Sequence, residues 1–333
     1  MENHSGHIDT RQEWWKPVME SMKGIQLRGI RITCPKCKES GIITTRWIKG
    51  PPIKPVYVLH RSGKSLKRLC LLSESQAIDA KKKVSIKDGD IRRLVNNRRP
   101  FILFSGGKDS LATLEYLIRI PGIDIRRFTA IFVDTTAGIP ENVQHVENVC
   151  KQLKIKLKIV KPKVDFFSLA EKWGIPSHGY RWCCRELKIK PIADYLGKIK
   201  EPKIVFDGIR AAESNIRKSY IPIWYHPTFE CLSISPIFYW SDERVISTIS
   251  NNGLSEKMVN SILNTSTECW CGAYKKEGDF RRLYELSPRL FGRLVELEEK
   301  SKSGFTFVYR DGKHISLREL KQSILSDVIA LST

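Results

Sequence analysis

The residues whose types and spacing could do chemistry begin with a loop at residues 105–110, Ser-Gly-Gly-Lys-Asp-Ser. An apolar, strand-like run at residues 100–104 precedes it, and a helical pattern at residues 111–118 follows. Glycines let the main chain approach an anion closely, and hydroxyls, the free N–H groups of the helix's first turn and the Lys108 ammonium can converge there. Gly-Gly turns also occur in plain polar loops, but this is where α/β sheets bind ligands. The loop therefore predicts a site for a nucleotide's phosphates, and it is not a Walker loop.

Four more segments follow the loop in the order found in one family. They are residues 133–141 (VDTTAGIPE), residues 181–191 with Arg-Trp-Cys-Cys, Lys188 and Pro191, residues 208–217 (GIRAAESNIR), and Pro236-Ile237 with Trp240. Together with the loop they cover roughly residues 100 to 300. The ordered set resembles the phosphoadenosine phosphosulfate (PAPS) reductases of the PP-loop adenine-nucleotide α-hydrolases, in an archaeal type with an N-terminal zinc-ribbon-like module. Thr136 stands where that family usually has a glycine.

The resemblance implies which residues form the site. The nucleotide-binding set would be Ser105, Gly106, Gly107, Lys108, Asp109, Ser110, Asp134, Thr136, Gly208, Arg210, Glu213 and Arg217, with Lys108, Asp109, Asp134 and Arg210 catalytic. The loop would hold pyrophosphate, and Asp109 and Asp134 would position a triphosphate bound to Mg²⁺. Arg210 and Arg217 would neutralise charge that develops during in-line displacement. A plainer alternative is that Arg210 and Glu213 only pair with each other.

Four of the nine cysteines form two close pairs in this region, Cys183-Cys184 and Cys269 with Cys271. Two pairs of soft thiolates on separate loops can enclose an iron–sulfur cluster, so a [4Fe–4S] cluster is predicted, with reduced buried thiols as the alternative. The cluster-bearing relatives have C-C…C-x-x-C, whereas this chain has C-x-C. The fourth ligand is therefore open, and Cys231 or a non-cysteine ligand are candidates.

A second metal site is predicted near the N-terminus. Cys34 and Cys37 have zinc-knuckle spacing, and His60 and Cys70 lie on a predicted β-hairpin, which would complete a closed tetrahedral Zn²⁺ site of three cysteines and one histidine. Free thiols are the alternative. About 40 residues bury too little surface to fold alone, so this module would need its metal. Its basic residues would face a polyanion: Arg46, Lys49, Lys64, Lys67 and Arg68.

The charge balance favours a polyanionic partner. The net charge is +21, and a strongly basic segment at residues 81–99 lies just before the phosphate loop. Such an excess favours nucleic acid, tRNA first, although a merely solvated basic surface gives the same composition. The sequence shows no apolar leader at its start and no uncharged apolar run near the ~20 residues that cross a bilayer. With nine cysteines read as metal ligands or redox groups, a cytoplasmic location is expected.

The elements that must position these residues follow from the hydrophobic pattern. Strand-like runs alternate with helical stretches, which predicts an α/β fold with a doubly wound, mostly parallel sheet. The expected divisions are residues 1–25, an N-terminal segment; 26–75, the zinc-ribbon-like β module; 76–99, a basic linker helix; 100–265, the nucleotide-binding domain; and 266–333, a C-terminal region of cluster ligands, helices and a hairpin.

One departure from the resemblance bears on the chemistry. Assimilatory reductases of the family carry a nucleophilic cysteine in an E-C-G-x-H tail, and no cysteine follows Cys271 here. The preferred hypothesis is therefore ATP-dependent adenylation and sulfur transfer to a nucleic acid, with a sulfur-donor or reductant protein as partner. The alternatives are a PAPS or adenylyl-sulfate (APS) reductase that makes sulfite, and a non-catalytic nucleotide-binding or RNA-binding protein.

Overall fold

The computed structural model describes residues 31–45, 56–62, 65–82, 84, 86–218, 220–250, 268–301, 306–310 and 312–332. The strands are β1 (Arg31–Thr33), β2 (Ser40–Thr45), β3 (Val56–Ser62), β4 (Ser65–Leu71), β5 (Arg99–Leu103), β6 (Thr129–Val133), β7 (Lys156–Val160), β8 (Lys203–Phe206), β9 (Ile223–His226), β10 (Cys231–Ile234), β11 (Val308–Arg310) and β12 (Lys313–Ile315). The helices are α1 (Glu74–Lys82), α2 (Asp88–Asn96), α3 (Lys108–Arg119), α4 (Pro140–Gln152), α5 (Phe166–Trp173), α6 (Lys190–Leu196), α7 (Asn215–Lys218), α8 (Asp242–Ser250), α9 (Glu277–Leu286), α10 (Pro288–Lys300) and α11 (Leu317–Ser332).

The central sheet has the strand order β7-β6-β5-β8-β10-β9. Every neighbouring pair is parallel except β9 and β10, which are antiparallel at one edge. Strands β6 and β7 lie to one side of β5 and β8 lies to the other, so the strand order reverses at β5. Ligands bind at the carboxyl ends of strands at such a reversal. The predicted α/β class with a doubly wound, mostly parallel sheet is confirmed.

The strands of the sheet centre are buried on both faces, as continuous apolar runs predict. All five residues of β6 are buried, and so are Phe101 and Ile102 of β5. One apolar cluster lies on one side of this sheet with α2, α3 and α4, and a second packs Phe101 and Val205 against α6. Two layers of helices therefore hold the ends of β5, β6 and β8 in fixed positions.

The N-terminal module is a four-stranded antiparallel sheet in the order β1-β2-β3-β4. Its hairpin of β3 and β4 agrees with the predicted one. The buried residues Ile42 and Val58 belong to the same apolar cluster as Ile102 of the central sheet, and β2 contacts β9. The module is therefore packed on the α/β domain. Arg46, Lys49 and Lys64 lie outside the described residues.

Residues 74–96 differ from the predicted single linker helix. They form two helices, α1 and α2, and the Ile91, Leu94 and Val95 side chains of α2 are buried in the main apolar cluster. The aspartates of α2 break the basic pattern, and the apolar residues after them follow a helical period that buries one face. This segment therefore belongs to the core, although its basic composition suggested a linker.

A third apolar cluster joins α9, α10 and α11 to α5 and to the cysteine-bearing segments. Strands β11 and β12 pair as the predicted short hairpin beside it. Strand β10, by contrast, was not predicted; it contains Cys231, the candidate fourth ligand, in the apolar cluster on the α6 side of the central sheet. Cys231 thus lies in a different cluster from Cys183 and Cys271. Within the described residues, we find no helix of the length and apolarity that a bilayer crossing requires.

Candidate active site and metal centres

The loop at residues 105–110 lies at the carboxyl end of β5, where the strand order reverses. Gly106 has φ +78°, a left-handed conformation that only glycine adopts readily. The Ser105 hydroxyl lies 3.2 Å from the Ser110 hydroxyl and accepts the Gly107 N–H at 3.3 Å, and Ser110 donates to the Gly107 carbonyl at 2.9 Å. These contacts hold the loop against the first turn of α3, where free N–H groups can face an anion.

Helix α4 holds the loop from the other side. The Asn142 amide donates to the Ser105 carbonyl at 3.3 Å, and Nε2 of His145 lies 3.1 Å from the Gly106 carbonyl oxygen, so this nitrogen must carry the proton. Burial lowers the pKa of His145, which keeps the ring neutral. Two carbonyl groups of the loop are therefore hydrogen-bonded to α4. Neither residue was among the predicted site residues; their spacing of three on the helix after Pro140-Glu141 was the available signal.

Lys108, Asp109 and Arg210 form one charged network with Asp242, the first residue of α8. Arg210 Nε donates to Asp109 at 2.6 Å and Nη2 donates to Asp242 at 2.8 Å, while Lys108 donates to Asp242 at 2.5 Å. Burial raises the pKa of Asp109 even though Arg210 opposes this, and Lys108 and Arg210 hold the pKa of Asp242 below its usual range. Asp242 was not among the predicted site residues. The network joins the phosphate loop to α8.

The guanidinium of Arg210 is buried at 1% exposure, and its third donor, Nη1, reaches the Trp240 carbonyl at 3.1 Å. All three directions of the group therefore end on protein atoms. The main-chain N–H of Arg210 donates to Glu213, whose carboxylate pairs with Arg217, so the suggested Arg210–Glu213 contact runs through the backbone. In this arrangement Arg210 positions Asp109, and a direct contact between Arg210 and a phosphate stays a prediction.

Asp134 and Thr136 lie in the loop after β6, beside the phosphate loop's strand. Asp134 accepts the Thr136 N–H at 2.9 Å and pairs with Lys161 at 2.8 Å. Thr136 has φ +61°, an unusual conformation for a β-branched residue, at the place where the resembling family has glycine. Its hydroxyl donates to the Thr135 carbonyl at 2.6 Å and accepts the Phe166 N–H at 2.7 Å. Side-chain hydrogen bonds thus hold a backbone shape that glycine would adopt freely.

Asp207, which the sequence did not single out, directly follows β8 and precedes Gly208. Its buried carboxylate accepts from Ser233 at 2.8 Å, from Ser235 at 2.5 Å and from the Ile209 N–H at 3.1 Å. Burial raises the pKa of Asp207, opposed by these donors. The carboxylate therefore ties β8 to β10 and fixes the start of the segment that carries Arg210.

The structure brings Cys183, Cys184, Cys269 and Cys271 together. The Sγ atoms of Cys183 and Cys271 are 3.2 Å apart, although 88 positions separate the residues. A hydrogen bond from the Cys183 thiol lowers the pKa of Cys184. The pKa of Cys271 is raised to about 11 by its interaction with Cys183 and by burial. Cys184 begins a π-helical turn, Cys184–Ile189, that runs into α6. Such turns are rare and often occur at functional sites.

The cysteine quartet, as we name these four residues, is joined to the nucleotide side of the domain. The Thr135 hydroxyl donates to the Glu268 main-chain carbonyl at 2.8 Å. The main-chain N–H of Trp270 donates to the Ala137 carbonyl at 2.7 Å. Lys188 pairs with the Glu268 carboxylate at 3.0 Å. Burial alone would lower the pKa of Lys188, but Glu268 and nearby thiols raise it, so its charge is retained. The loop after β6 therefore lies between the predicted phosphate site and the quartet.

The N-terminal module forms a second group of ligands. The ligand atoms of Cys34, Cys37, His60 and Cys70 all lie within 4.8 Å of one another, close enough to hold a metal ion. Cys37 Sγ is 3.3 Å from His60 Nε2, near the roughly 3.6 Å that tetrahedral Zn²⁺ bond lengths imply. His60 Nδ1 lies 3.1 Å from the Ser40 carbonyl, so Nδ1 carries the proton and Nε2 is free for a metal. A Cβ on Gly41 would stand 2.9 Å from His60 Cε1, so glycine permits this approach.

Comparisons with known proteins find sequence similarity in the region that contains the phosphate loop. Residues 99–260 match the model of the phosphoadenosine phosphosulfate reductase domain. An uncharacterized protein of Methanocaldococcus jannaschii is 31% identical over 198 residues, 58% of this chain and 46% of the relative. Adenosine 5'-phosphosulfate reductases of Staphylococcus epidermidis are 28% identical over 157 residues, 45% of this chain and 60% of each relative. A crystal structure of PAPS reductase from Candida auris has a TM-score of 0.43 at 19% identity, covering 60% of this chain and 96% of that one.

The chain spans less than two thirds of the length of the curated relatives it matches. The matched region runs from β5 through α8 and includes the phosphate loop, Asp134, the first cysteine pair and the Arg210 segment. It excludes the N-terminal metal-binding module and the second cysteine pair. Residues 99–260 are therefore similar to the phosphoadenosine phosphosulfate reductase domain.

Proposed function

We propose that this protein activates a nucleic-acid substrate, tRNA first, with ATP and transfers sulfur to it. An oxygen of the substrate would attack the α-phosphorus of ATP, which releases pyrophosphate; a hydrosulfide sulfur would then displace AMP. The observation that carries the proposal is the direct contact between the two centres: the loop after β6, which contains Asp134, hydrogen-bonds to the segment that carries Cys269 and Cys271. A site for a nucleotide and a site for soft sulfur chemistry thus share one loop.

The residue roles follow from the contacts. The loop at residues 105–110 would hold the departing pyrophosphate through its N–H groups and Lys108. Lys108 now pairs with Asp242, and a phosphate is a stronger competitor for its ammonium because it carries more charge. Asp109 and Asp134 would orient Mg²⁺ bound to the triphosphate. Arg210 would keep Asp109 in place, and Arg217, half-buried beside Glu213, would face developing charge.

We propose that the cysteine quartet holds a [4Fe–4S] cluster. Support comes from four thiols on two segments that lie close together, from the burial of Cys183 and Cys271, and from the positive charge of Lys188 next to Cys184 and Cys269. The Cys183 and Cys271 sulfur atoms, 3.2 Å apart, would have to separate to hold a cluster. Thiolates are the ligands that iron–sulfur clusters require. A bound cluster would supply a soft Lewis-acidic iron able to hold sulfur. The Lys188–Glu268 pair would fix the segment between α6 and Cys269.

The N-terminal module fits Zn²⁺ as a structural ion. Three sulfur ligands and one imidazole leave no position open for substrate, which is typical of closed structural sites. Lys67 and Arg68 on β4 are half-exposed and pair only weakly with Glu39, at 3.3 and 3.4 Å, so a polyanion could compete for them. All nine cysteines are free thiols, which suits the reducing cytoplasm.

An APS or PAPS reductase is the second candidate, and the similarity to adenosine 5'-phosphosulfate reductases favours it. The decisive experiment uses protein purified without oxygen and analysed for iron, sulfide and zinc. Pyrophosphate release from ATP is measured with and without bulk tRNA, beside sulfite release from APS and PAPS with a thiol donor. ATP cleavage stimulated by tRNA supports the proposal, whereas sulfite production without it supports the reductase.

Two variants test the site itself. Lys108→Ala and Asp109→Ala should each abolish turnover of the active substrate, because each removes a charge from the phosphate loop. Iron and zinc content should stay at the wild-type level, since neither residue contacts a cysteine. Undiminished turnover in either variant would mean that the nucleotide binds elsewhere.

A further inference from the structure

Two short segments carry the cysteine quartet, and each one also carries a tyrosine at the surface. Tyr180 precedes Cys183 by three residues and Tyr274 follows Cys271 by three. The cysteines Cys183 and Cys271 are buried, whereas Tyr180 is 53% exposed and Tyr274 is 59% exposed. Large aromatic groups are rarely so exposed without a use when several lie together. Each segment of the quartet therefore places an exposed aromatic side chain three residues from a buried cysteine.

Local contacts hold these side chains in place. Arg181 donates to the Tyr274 hydroxyl, and its guanidinium carbon lies 5.5 Å from the centre of the Tyr274 ring. The His178 ring meets the same tyrosine edge-on at 5.9 Å. A turn closed by mutual backbone hydrogen bonds between Ser177 and Tyr180, at 3.3 and 3.1 Å, presents Tyr180. These surface contacts fix the positions of the side chains, so the arrangement is preorganised.

Cations lie near two of the tyrosines: Arg181 contacts Tyr274, and Arg181 and Arg217 lie near Tyr220. Lys275 lies 4.1 Å above the Trp270 ring, close to Cys269 and Cys271. Tyr220 is half-buried, and burial raises its pKa against the effect of the nearby Arg217 and Arg181. Aromatic faces combined with cations are how proteins bind single-stranded nucleic acid, because bases stack on the rings and phosphates meet the charges. The protein's net charge of +21 adds long-range attraction for the same partner.

We infer that the aromatic rim, defined as Tyr180, Arg181, Tyr220, Tyr274 and Lys275, binds an unpaired base of single-stranded RNA and brings it to the cysteine quartet. This inference rests on the proposed function and names where its substrate is held. The rim favours RNA over a protein partner because it combines stacking faces with cations. It also favours an unpaired base, since a duplex keeps its base faces covered.

The test measures binding of a fluorescein-labelled, unstructured 12-nucleotide RNA by anisotropy, with cluster-loaded, zinc-loaded protein. Tyr180→Ala and Tyr274→Ala should each weaken binding by about 5- to 150-fold, the range for loss of one stacked base. The salt dependence of binding should not change in these variants. Tyr180→Phe should restore binding, because a phenyl ring still stacks. Arg181→Gln should weaken binding and also reduce the slope of log K against log salt by about 0.7.

Tyr309→Ala is the matched control, because Tyr309 is 66% exposed and lies on β11, outside the two segments that carry the quartet. It should bind RNA as the wild type does. Wild-type affinity in both Tyr180→Ala and Tyr274→Ala would overturn the inference and assign the rim to another partner, such as a protein. If Tyr180→Ala and Tyr274→Ala lost APS turnover but kept RNA binding, the inference would also be overturned, since the rim would then hold the adenine of a small nucleotide. Neither result depends on tRNA-stimulated pyrophosphate release, which tests the proposed function separately.

Discussion

Gly208 lies directly against the backbone of Asp109. A Cβ on Gly208 would stand 2.8 Å from the Asp109 carbonyl carbon, 2.9 Å from its oxygen and 2.9 Å from the next backbone nitrogen. The segment after β8 therefore touches the first turn of α3, the turn that offers its N–H groups to an anion. This contact is between two backbones, which cannot move aside as a side chain can.

Gly208→Ala should consequently damage both stability and nucleotide binding. The added methyl group would push α3 away from β8, at a cost of about 1–3 kcal/mol in the free energy of unfolding. Urea unfolding measures this cost, and calorimetric titration with ATP measures the affinity. Gly292→Ala is the matched control, since nothing lies within 4 Å of its Cβ position on α10. That variant should gain roughly 0.5–1 kcal/mol, and equal behaviour of the two variants would contradict the packing argument.

Thr136 should be sensitive to the loss of its hydroxyl and tolerant of the loss of its methyl group. Thr136→Val leaves the Phe166 N–H without its acceptor and keeps a β-branched residue at φ +61°, so we expect a loss of about 1–3 kcal/mol. Thr136→Ser keeps the hydroxyl and should unfold at nearly the wild-type urea concentration. If the valine and serine variants were equally stable, the hydroxyl would not be what holds this loop.

Some of the site could be predicted from the sequence because its signals are local. The phosphate loop, the strand before it, the helix after it and the Cys34–Cys37 knuckle each depend on a few neighbouring residues. The pairing of His60 and Cys70 with that knuckle also followed, because a hairpin fixes the positions of its two strands. The family resemblance through residues 99–260 is confirmed by the domain match.

Other features depend on contacts between distant residues, which a single sequence does not reveal. Asp242 is 134 positions from Lys108, and its role is visible only once α8 is placed beside α3. His145 and Asn142 looked like ordinary helix residues, and Asp207 looked like the end of a strand. Strands β9 and β10 were not predicted, because each has four residues and no alternating pattern clear enough to separate it from a loop.

Removal of the N-terminal metal should destabilise more than the module that holds it. Cys34 and Cys70 are themselves part of the apolar cluster that continues into the central sheet through Ile102. Cys70→Ser should lose one zinc per chain by elemental analysis, keep its iron and lower the unfolding temperature. Cys150→Ser is the control, because Cys150 is buried in α4 away from both ligand groups and should keep all its metal. Equal zinc in the two variants would rule out Cys70 as a ligand.

His145 should make stability depend on pH below neutrality. Burial lowers the pKa of His145 in the folded protein, whereas in the unfolded chain it titrates near its ordinary value of about 6.5. Protons therefore bind preferentially to the unfolded chain, so the stabilisation is complete above pH 6.5 and is lost as the pH falls towards the folded pKa. In His145→Gln the amide can still donate to Gly106 but does not titrate. Between pH 7.5 and 5.5 the free energy of unfolding should fall further for the wild type than for this variant, since protonation of the metal-binding thiolates affects both proteins alike. Parallel pH profiles would show instead that the ring is accessible to protons in the folded state.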